Sequence, residues 1–254
     1  MISNENVLTE FKEKVVIVTG AARGIGKVTA LEFGKQGASV VIVDVREKEL
    51  EEVSKIIYKP GIEVLPLTAD VSNRDQVEDV IKKTVTKFGK IDILVNNAGI
   101  VGPSGLIVDL SEEDWDQLLR INLKSVFLFC KYTVPIMIRN KKGAIVNVAS
   151  IAGKEGTENL SGYSASKAGV IIFSRVLAKE VAKEGIRVNS IAPGTVKTDI
   201  LSTVPQEMID NLIAKVPMGR IGYPEEVADL ILFLSSGKSS YITGQCFNVT
   251  GGRR

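Results

Sequence analysis

The residues of this sequence best suited to chemistry are a serine, a tyrosine and a lysine, Ser150, Tyr163 and Lys167. Tyr163 and Lys167 are four positions apart, and on a helix this spacing places both side chains on one face. An ammonium group beside a phenol favours the ionised phenol, so we expect Lys167 to lower the pKa of Tyr163. Ser150 is expected to hydrogen-bond the same substrate oxygen. The three residues therefore predict proton transfer to a carbonyl or from an alcohol.

The chain contains no histidine, and this excludes two common kinds of site. Nucleophiles activated by imidazole are ruled out, as are metal sites with imidazole ligands. Cys130 and Cys246 lie far apart in apolar surroundings and have no metal-ligand spacing. Tyrosine is therefore the expected proton-transferring residue, and no metal is expected.

A glycine-rich stretch near the N-terminus has the pattern of a strand, a turn and a helix. The apolar run 15–18 leads into Thr19-Gly20-Ala21-Ala22-Arg23-Gly24-Ile25-Gly26, after which apolar residues recur at helical spacing. Glycines allow the backbone to approach a pyrophosphate closely, and a helix N-terminus offers free N–H groups and a partial positive charge. The stretch therefore predicts a dinucleotide-binding site.

The same stretch partly matches the phosphate-binding loop of nucleotide hydrolases, because Lys27 follows Gly26. Two positions of that motif do not match. Ala21 stands where the first glycine is needed, and Val28 stands where a hydroxyl group must reach magnesium. The sequence therefore favours dinucleotide binding over nucleotide hydrolysis.

Asp44 ends the second predicted strand and bears on the choice of cofactor. It follows Gly26 by 18 residues, close to the spacing of about 20 at which an acidic side chain meets ribose hydroxyls. A carboxylate there repels the additional phosphate of NADP, whereas Arg23 and Arg46 attract it. We expect NAD to be preferred, with NADP as the alternative.

The order of apolar runs and amphipathic segments predicts the fold class. Strands with helices between nearly all of them indicate an α/β Rossmann fold, with a doubly wound parallel sheet of seven strands. No linker or repeat interrupts this order, so residues 1–254 are expected to form one domain that binds its ligand at the carboxyl ends of the strands. The predicted strands are 15–19, 40–44, 64–67, 91–95, 144–149, 187–191 and 246–249.

Composition limits the partners and the location. The net charge is +2, with 32 basic and 30 acidic residues, which provides no field that would attract nucleic acid or an anionic membrane. Residues 1–9 are polar and lack the apolar core of a signal peptide. No run reaches about 18 uninterrupted apolar residues. We therefore expect a cytoplasmic protein that acts on a small molecule.

Together these segments resemble the short-chain dehydrogenase/reductase family over residues 14–252. The interval of 13 residues between Ser150 and Tyr163 is usual in that family, and the segment 96–99 (Asn-Asn-Ala-Gly) is similar to the turn after its fourth strand. The resemblance implies an NAD(P)-dependent oxidoreductase that interconverts a carbonyl and a secondary alcohol by hydride transfer. Among members of the family, the sequence looks most like 3-oxoacyl-acyl-carrier-protein reductases.

The resemblance also assigns roles to individual residues. Ser150, Tyr163 and Lys167 are implied as catalytic, together with Asn122, which matches the asparagine that holds a proton-relay water. Lys167 is further implied to hydrogen-bond the nicotinamide ribose. The residues implied to bind the cofactor are Gly20, Arg23, Gly24, Ile25, Gly26, Asp44, Asp70, Val71, Asn97, Ala98, Gly99, Tyr163, Lys167, Pro193, Gly194 and Val196.

Several alternatives stay open. Related acyl-carrier-protein reductases commonly use NADP, which Asp44 disfavours, so an NAD-dependent sugar, polyol, hydroxysteroid or secondary-alcohol dehydrogenase is the second reading. Residues 195–217 have an apolar pattern that fits either a substrate lid or a packed short helix. Related enzymes are usually tetramers joined through the helices near 115–137 and 163–183, so a homotetramer is implied. A non-catalytic dinucleotide-binding scaffold is the third reading, and the complete catalytic set argues against it.

Overall fold

A parallel sheet of seven strands occupies the centre of the computed structural model, which describes residues 10–59, 61–198 and 206–253. The strands are β1 (Val15–Thr19), β2 (Ser39–Asp44), β3 (Val64–Thr68), β4 (Ile93–Asn96), β5 (Gly143–Val148), β6 (Ile186–Pro193) and β7 (Cys246–Val249). Their order across the sheet is β3-β2-β1-β4-β5-β6-β7, so the direction of winding reverses between β1 and β4. Such a reversal opens a crevice at the carboxyl ends of the strands.

Helices cover both faces of the sheet. One face is covered by α1 (Gly24–Lys35), α2 (Glu47–Ile57) and α9 (Pro224–Ser235). The other is covered by α3 (Arg74–Phe88), α5 (Ser125–Arg139) and α7 (Ser161–Val181). Shorter helices are α4 (Glu112–Leu119), α6 (Ala152–Glu155) and α8 (Gln206–Ala214), with single 3-10 turns at Ile107–Asp109, Ala182–Glu184 and Gly237–Ser239. The predicted α/β fold with a doubly wound parallel sheet is confirmed.

The strands form where the sequence has runs of Val, Ile and Leu, since a parallel strand covered on both faces is buried on each side. All residues of β1 and of β5 are buried. The predicted bounds of β1 and β7 agree with the structure, and the others differ by one or two residues. For example, β4 begins at Ile93 rather than Ile91, since the side chain of Asp92 accepts the N–H of Val15 at 2.9 Å.

One long helical run lies behind the carboxyl end of β4. A π turn at Arg120–Lys124 joins α4 to α5 without a break and locally widens the helix. The whole run, Glu112–Arg139, is the one helix in the described ranges that is long and apolar enough to cross a membrane, and half of its most apolar window is buried inside the protein. A core helix of a soluble protein meets the same criteria, so this helix is weak support for a membrane span.

A buried chain of side-chain hydrogen bonds fixes α7 against β4 and β5. The amide of Asn96 donates to Oδ1 of Asn147 at 2.8 Å, and the amide of Asn147 donates to Oγ of Ser174 at 2.8 Å. All three side chains are buried, and leaving one of their polar groups unpaired would cost about 1–3 kcal/mol. The chain of bonds holds the helix with Tyr163 and Lys167 in register with the strand that precedes Ser150.

Candidate active site

A cleft of about 420 Å³ opens at the carboxyl ends of the strands, where the strand order reverses. Of the predicted site residues, only Gly26 and Asn122 are absent from its described lining. Those that line it are Gly20, Arg23, Gly24, Ile25, Asp44, Asp70, Val71, Asn97, Ala98, Gly99, Ser150, Tyr163, Lys167, Pro193, Gly194 and Val196. Within the described parts of the chain, no group of three His, Cys, Asp or Glu side chains is arranged to hold a metal ion.

The N-terminus of α1 forms one wall of the cleft and is suited to an anion. Gly20 and Gly24 have φ angles of 64° and 54°, in the left-handed region that glycine adopts without strain. Among the described residues, no side chain caps this helix, and its first turn holds no acidic residue. By contrast, the side chain of Asn73 caps α3. An uncapped helix N-terminus beside a glycine turn fits the pyrophosphate of a dinucleotide.

Asn97 fastens the glycine turn to the end of β4. Its backbone N–H donates to Oγ1 of Thr19 at 3.0 Å, and its amide donates to the carbonyls of Thr19 and Gly20 at 3.0 and 3.1 Å. Gly26 lies behind the turn, where a Cβ atom would overlap the carbonyl oxygen of Gly20. The missing side chain of Gly26 therefore allows α1 to pack closely against the turn, outside the lining of the cleft.

Asp44 is held at the end of β2 with its carboxylate at the cleft. Its Oδ2 atom accepts the N–H of Ala22 at 3.1 Å, and its Oδ1 atom accepts the N–H of Arg46 at 3.2 Å. A carboxylate has about four lone-pair sites, so acceptor capacity remains for ribose hydroxyls. The guanidinium of Arg46 lies 3.3 Å from the carboxylate of Glu49, which offsets its positive charge. Arg23 also lines the cleft.

Asp70 and Val71 lie on the β3 side of the cleft, in a tight turn. Oδ1 of Asp70 accepts both the N–H and the hydroxyl of Ser72 at 2.8 Å. The N–H of Asp70 donates to the side chain of Gln76 at 2.7 Å. These bonds fix a rigid surface at two of the residues that the resemblance assigns to cofactor binding.

Ser150, Tyr163 and Lys167 meet beyond the carboxyl end of β5. Oγ of Ser150 accepts the N–H of Ala152 at 3.2 Å, and it lies close enough to the phenol of Tyr163 to favour the ionised form of that phenol. Nζ of Lys167 lies 6.0 Å from the centre of the Tyr163 ring. The structure therefore brings the three predicted catalytic side chains into one space that opens on the cleft.

A backbone carbonyl holds the ammonium of Lys167 in place. Nζ donates to the carbonyl oxygen of Val148 at 2.9 Å, and only 4% of Lys167 is exposed. The last pair between β4 and β5 is Asn96 with Asn147. Because β4 ends there while β5 continues for one more residue, the carbonyl of Val148 lies beyond the ladder and can accept from a side chain.

Burial shifts the pKa values of both titrating groups, one of them against expectation. Desolvation raises the pKa of Tyr163 above its usual value of 10.0, and the nearby hydroxyl of Ser150 opposes this only in part. Burial lowers the pKa of Lys167 from 10.5 to about 8. The expectation that Lys167 lowers the pKa of the phenol is therefore wrong for this structure, because the loss of water around the phenol dominates and Lys167 is not among the groups that shift this pKa. The phenol is held in its protonated form.

Asn122 lies in the π turn and is fully buried. Its amide donates to the carbonyl of Ile100 at 2.9 Å and to Oγ of Ser166 at 3.0 Å, while its Oδ1 atom accepts the N–H of Ile100 at 2.8 Å. A Cβ atom on Gly99 would lie 3.0 Å from this Oδ1 atom and 3.2 Å from Nζ of Lys167, so the glycine allows both polar groups to approach. Both amide N–H groups are used. A relay water would therefore need Oδ1 or a backbone carbonyl of the π turn.

Sequence reasoning missed three residues that organise the site. Oγ1 of Thr19 accepts two backbone N–H groups from the segment after β4, and a hydroxyl directly before the glycine turn is the signal that would have identified it. Ser166 accepts from Asn122 and donates to the carbonyl of Tyr163 at 2.7 Å. Val148 contributes only its backbone carbonyl, so no side-chain pattern reveals it.

Known proteins resemble this chain over nearly its whole length. Residues 20–254 match a family model described as Enoyl-(Acyl carrier protein) reductase. The 3-oxoacyl-[acyl-carrier-protein] reductase FabG of Thermotoga maritima is 44% identical over 239 residues, which cover 94% of this chain and 97% of that protein. The (2S)-[(R)-hydroxy(phenyl)methyl]succinyl-CoA dehydrogenase subunit BbsD of Thauera aromatica is 40% identical over 242 residues, covering 95% and 97%. The crystal structure of levodione reductase is similar with a TM-score of 0.92 at 35% identity, covering 95% of this chain and 98% of that one.

Replacing Lys167 with Met should change how stability depends on pH. Because the pKa of Lys167 is about 8 when folded and near 10.5 when unfolded, only the unfolded chain holds this proton between these values, and stability rises with pH across that window. From about pH 7 to about pH 9.5, the free energy of unfolding of the wild type should rise by about 2 kcal/mol relative to Lys167→Met. Urea denaturation of the cofactor-free proteins measures this difference.

The matched control is Lys179→Met, which replaces an exposed lysine on the same helix. Its stability difference from the wild type should not depend on pH in this range. An equal difference at both pH values for Lys167→Met would show that the ammonium of Lys167 remains well solvated in the folded protein.

Proposed function

The chain belongs to the short-chain dehydrogenase/reductase family, and we propose that Ser150, Tyr163 and Lys167 carry out its chemistry. It is an NAD(P)-dependent oxidoreductase that interconverts a carbonyl and a secondary alcohol by hydride transfer. The observation that supports these residue roles is their convergence beside a cleft walled by a glycine turn and an uncapped helix N-terminus.

The residues of the cleft suit successive parts of a dinucleotide. The N-terminus of α1 would hold the pyrophosphate, Asp44 the adenosine ribose, Asp70 the adenine side, and the loop at Pro193 and Gly194 the nicotinamide side. When bound, the nicotinamide ring supplies or accepts the hydride, and its oxidised form adds a positive charge to the site.

Tyr163 acts as the proton donor when a carbonyl is reduced. Burial keeps the phenol protonated, so the form needed for donation is the one present at neutral pH. The hydroxyl of Ser150 lies beside the phenol and is oriented by the N–H of Ala152. It can donate to the same substrate oxygen and stabilise negative charge that develops there.

Lys167 acts on the proton of Tyr163 rather than on the substrate. Its ammonium is fixed by the carbonyl of Val148 and stabilises the phenolate that remains after proton donation. In the direction of alcohol oxidation the phenol must first lose its proton, and a lysine with a pKa of about 8 can exchange that proton near neutral pH. Asn122 positions the π turn beside Lys167, from which a water would link the lysine to solvent.

NAD is the proposed cofactor of choice. The carboxylate of Asp44 keeps acceptor capacity for two ribose hydroxyls and would repel a phosphate on the same ribose. The charge of Arg46 is partly offset by Glu49, which leaves Arg23 as the cleft residue best placed to accept NADP.

Two classes of substrate are supported by different observations. The names of the FabG relatives favour reduction of a 3-oxoacyl thioester. Asp44, through its preference for NAD, favours the alternative of an NAD-dependent sugar, polyol, hydroxysteroid or secondary-alcohol dehydrogenase. The levodione reductase neighbour is named for neither class, so similarity of fold does not decide between them.

Residues 1–254 are proposed to form one cytoplasmic domain that assembles into a homotetramer. Exposed apolar side chains on α5 and α7 support the assembly, since Phe127, Ile172 and Val176 face outward from the two helices. A groove between these helices is lined by Leu123, Phe127 and Phe173, among others. Apolar helix faces of this kind are usually covered by another subunit.

The segment 195–217 is proposed to close over the substrate as a lid. Its first residues are held to the chain just beyond its end, because Val196 forms a parallel bridge with Gly222 and the N–H of Lys197 donates to the carbonyl of Gly222 at 2.8 Å. Within the segment, α8 is helical, while residues 199–205 lie outside the described structure. A segment anchored at both ends can move without disturbing the sheet and can exclude water from hydride transfer.

The purified protein should oxidise NADH in the presence of a carbonyl substrate. A spectrophotometric panel of ketones, diketones, sugars, steroids and acetoacetyl thioesters, with alcohols and NAD for the reverse reaction, measures this directly. We expect kcat/KM for NADH to exceed that for NADPH by about tenfold or more. Absence of turnover with either cofactor across the panel would contradict the proposed function.

Replacing Asp44 with Ala should shift cofactor preference toward NADP. The ratio of kcat/KM for NADH to that for NADPH should fall by about tenfold or more, because the ribose acceptor and the repulsion of phosphate are both lost. Asp44→Asn keeps a side-chain acceptor for the local turn and should shift the ratio in the same direction. Glu47→Ala removes an equal charge from an exposed neighbour outside the cleft and should leave the ratio unchanged. An unchanged ratio in both Asp44 variants would refute the assigned role.

A further inference from the structure

Three consecutive aliphatic residues are exposed in the turn before α4. Leu106, Ile107 and Val108 have 59%, 63% and 82% of their surface exposed. A single exposed aliphatic side chain is ordinary, whereas three in a row on a surface turn indicate contact with an apolar group. The three side chains form an apolar rim.

A narrow pocket of about 80 Å³ connects the apolar rim with Tyr163. Leu106 and Tyr163 both line this pocket, and Leu118 provides a further apolar wall. The loop that carries the rim is tied to the chain before α7, because the N–H of Gly105 donates to the carbonyl of Asn159 at 3.0 Å. The rim is therefore fixed at the side of the site where the proposed proton donor lies.

The charges around the pocket disfavour an anion. Among the described residues, the charged groups that line it are Asp109 and Asp114. Oδ2 of Asp114 accepts the hydroxyl of Ser111 at 2.7 Å. A carboxylate or phosphate in the pocket would face these acidic groups, whereas an aliphatic group would remove apolar surface from water.

We propose that one substituent of the reacting carbon is an uncharged alkyl or ring group, bound in this pocket and against the apolar rim. The inference rests on the proposed function, since it places the reacting oxygen at Tyr163. It applies equally to a small ketone and to a 3-oxoacyl thioester, because both can carry an aliphatic chain. Leu106 and Asp109, which both line the pocket, then determine specificity, the first by favouring apolar substituents and the second by rejecting anionic ones.

Three methyl ketones test the proposal. They are methyl ethyl ketone, methyl hexyl ketone, and an oxo acid that resembles methyl hexyl ketone but carries a carboxylate at the far end of its alkyl chain. We expect kcat/KM for methyl hexyl ketone to exceed the other two by about tenfold or more. Leu106→Ser should raise the KM for methyl hexyl ketone by roughly three- to tenfold and leave the KM for methyl ethyl ketone unchanged. Asp109→Asn should raise kcat/KM for the oxo acid by about threefold or more.

The control is Ile56→Ser, which changes an aliphatic residue on α2 that is 56% exposed and distant from the pocket. This variant should leave kcat/KM unchanged for all three ketones. Ketone turnover without the apolar preference, or an equal effect of Leu106→Ser on all three ketones, would overturn the inference and leave the proposed function intact. Dissociation of an oligomer by Leu106→Ser with unchanged selectivity would also overturn it, because the rim would then be a subunit contact.

If the protein turns over no simple ketone, short and long 3-oxoacyl thioesters replace the ketones in the same comparison. A preference of about tenfold for the long chain, lost in Leu106→Ser, would support the inference. Thioester turnover without that preference would overturn the inference and leave the proposed function intact. Absence of turnover with ketones and thioesters alike would contradict the proposed function, and the inference with it.

Discussion

The buried ammonium of Lys167 is the constraint on which the rest of the site depends. A lysine removed from water is costly in free energy, and its pKa falls to about 8 for that reason. Two features offset this cost. The carbonyl of Val148 projects beyond the end of the β4–β5 ladder and accepts from Nζ, and Gly99 leaves room beside Nζ. A nitrogen that exchanges its proton near neutral pH thereby lies next to Tyr163, whose own pKa is raised.

The segment 96–99 consists of the last residue of β4 and the turn that follows it. It connects the cofactor side of the site with the catalytic side. Asn96 begins the buried hydrogen-bond chain that fixes α7, and Asn97 fastens the glycine turn to β4. Gly99 lies between Asn122 and Lys167. A displacement of β4 would therefore move both the wall suited to the pyrophosphate and the helix that carries Tyr163. Such shared support can keep two reactants in a fixed relative orientation.

The fold and most of the cleft could be predicted because their sequence signals are local. Runs of Val and Ile specify buried parallel strands, and Asp44 and the glycine turn follow strands directly, which places them at one edge of the sheet. The direction of the pKa shift at Tyr163 could not be predicted, since it depends on burial by segments distant in sequence. The carbonyl of Val148 and the π turn around Asn122 were missed because backbone groups have no side-chain signature.

In the proposed mechanism, Tyr163 exchanges the proton with the substrate oxygen while the rest of the site holds the cofactor. The most direct test measures turnover and NADH affinity in Tyr163→Phe, which keeps the ring and its packing but lacks the hydroxyl. We expect kcat to fall by roughly a thousandfold or more, with the dissociation constant for NADH within about threefold of the wild-type value. Turnover above about a tenth of the wild-type rate would contradict the proposed role of Tyr163, because another group would then be supplying the proton.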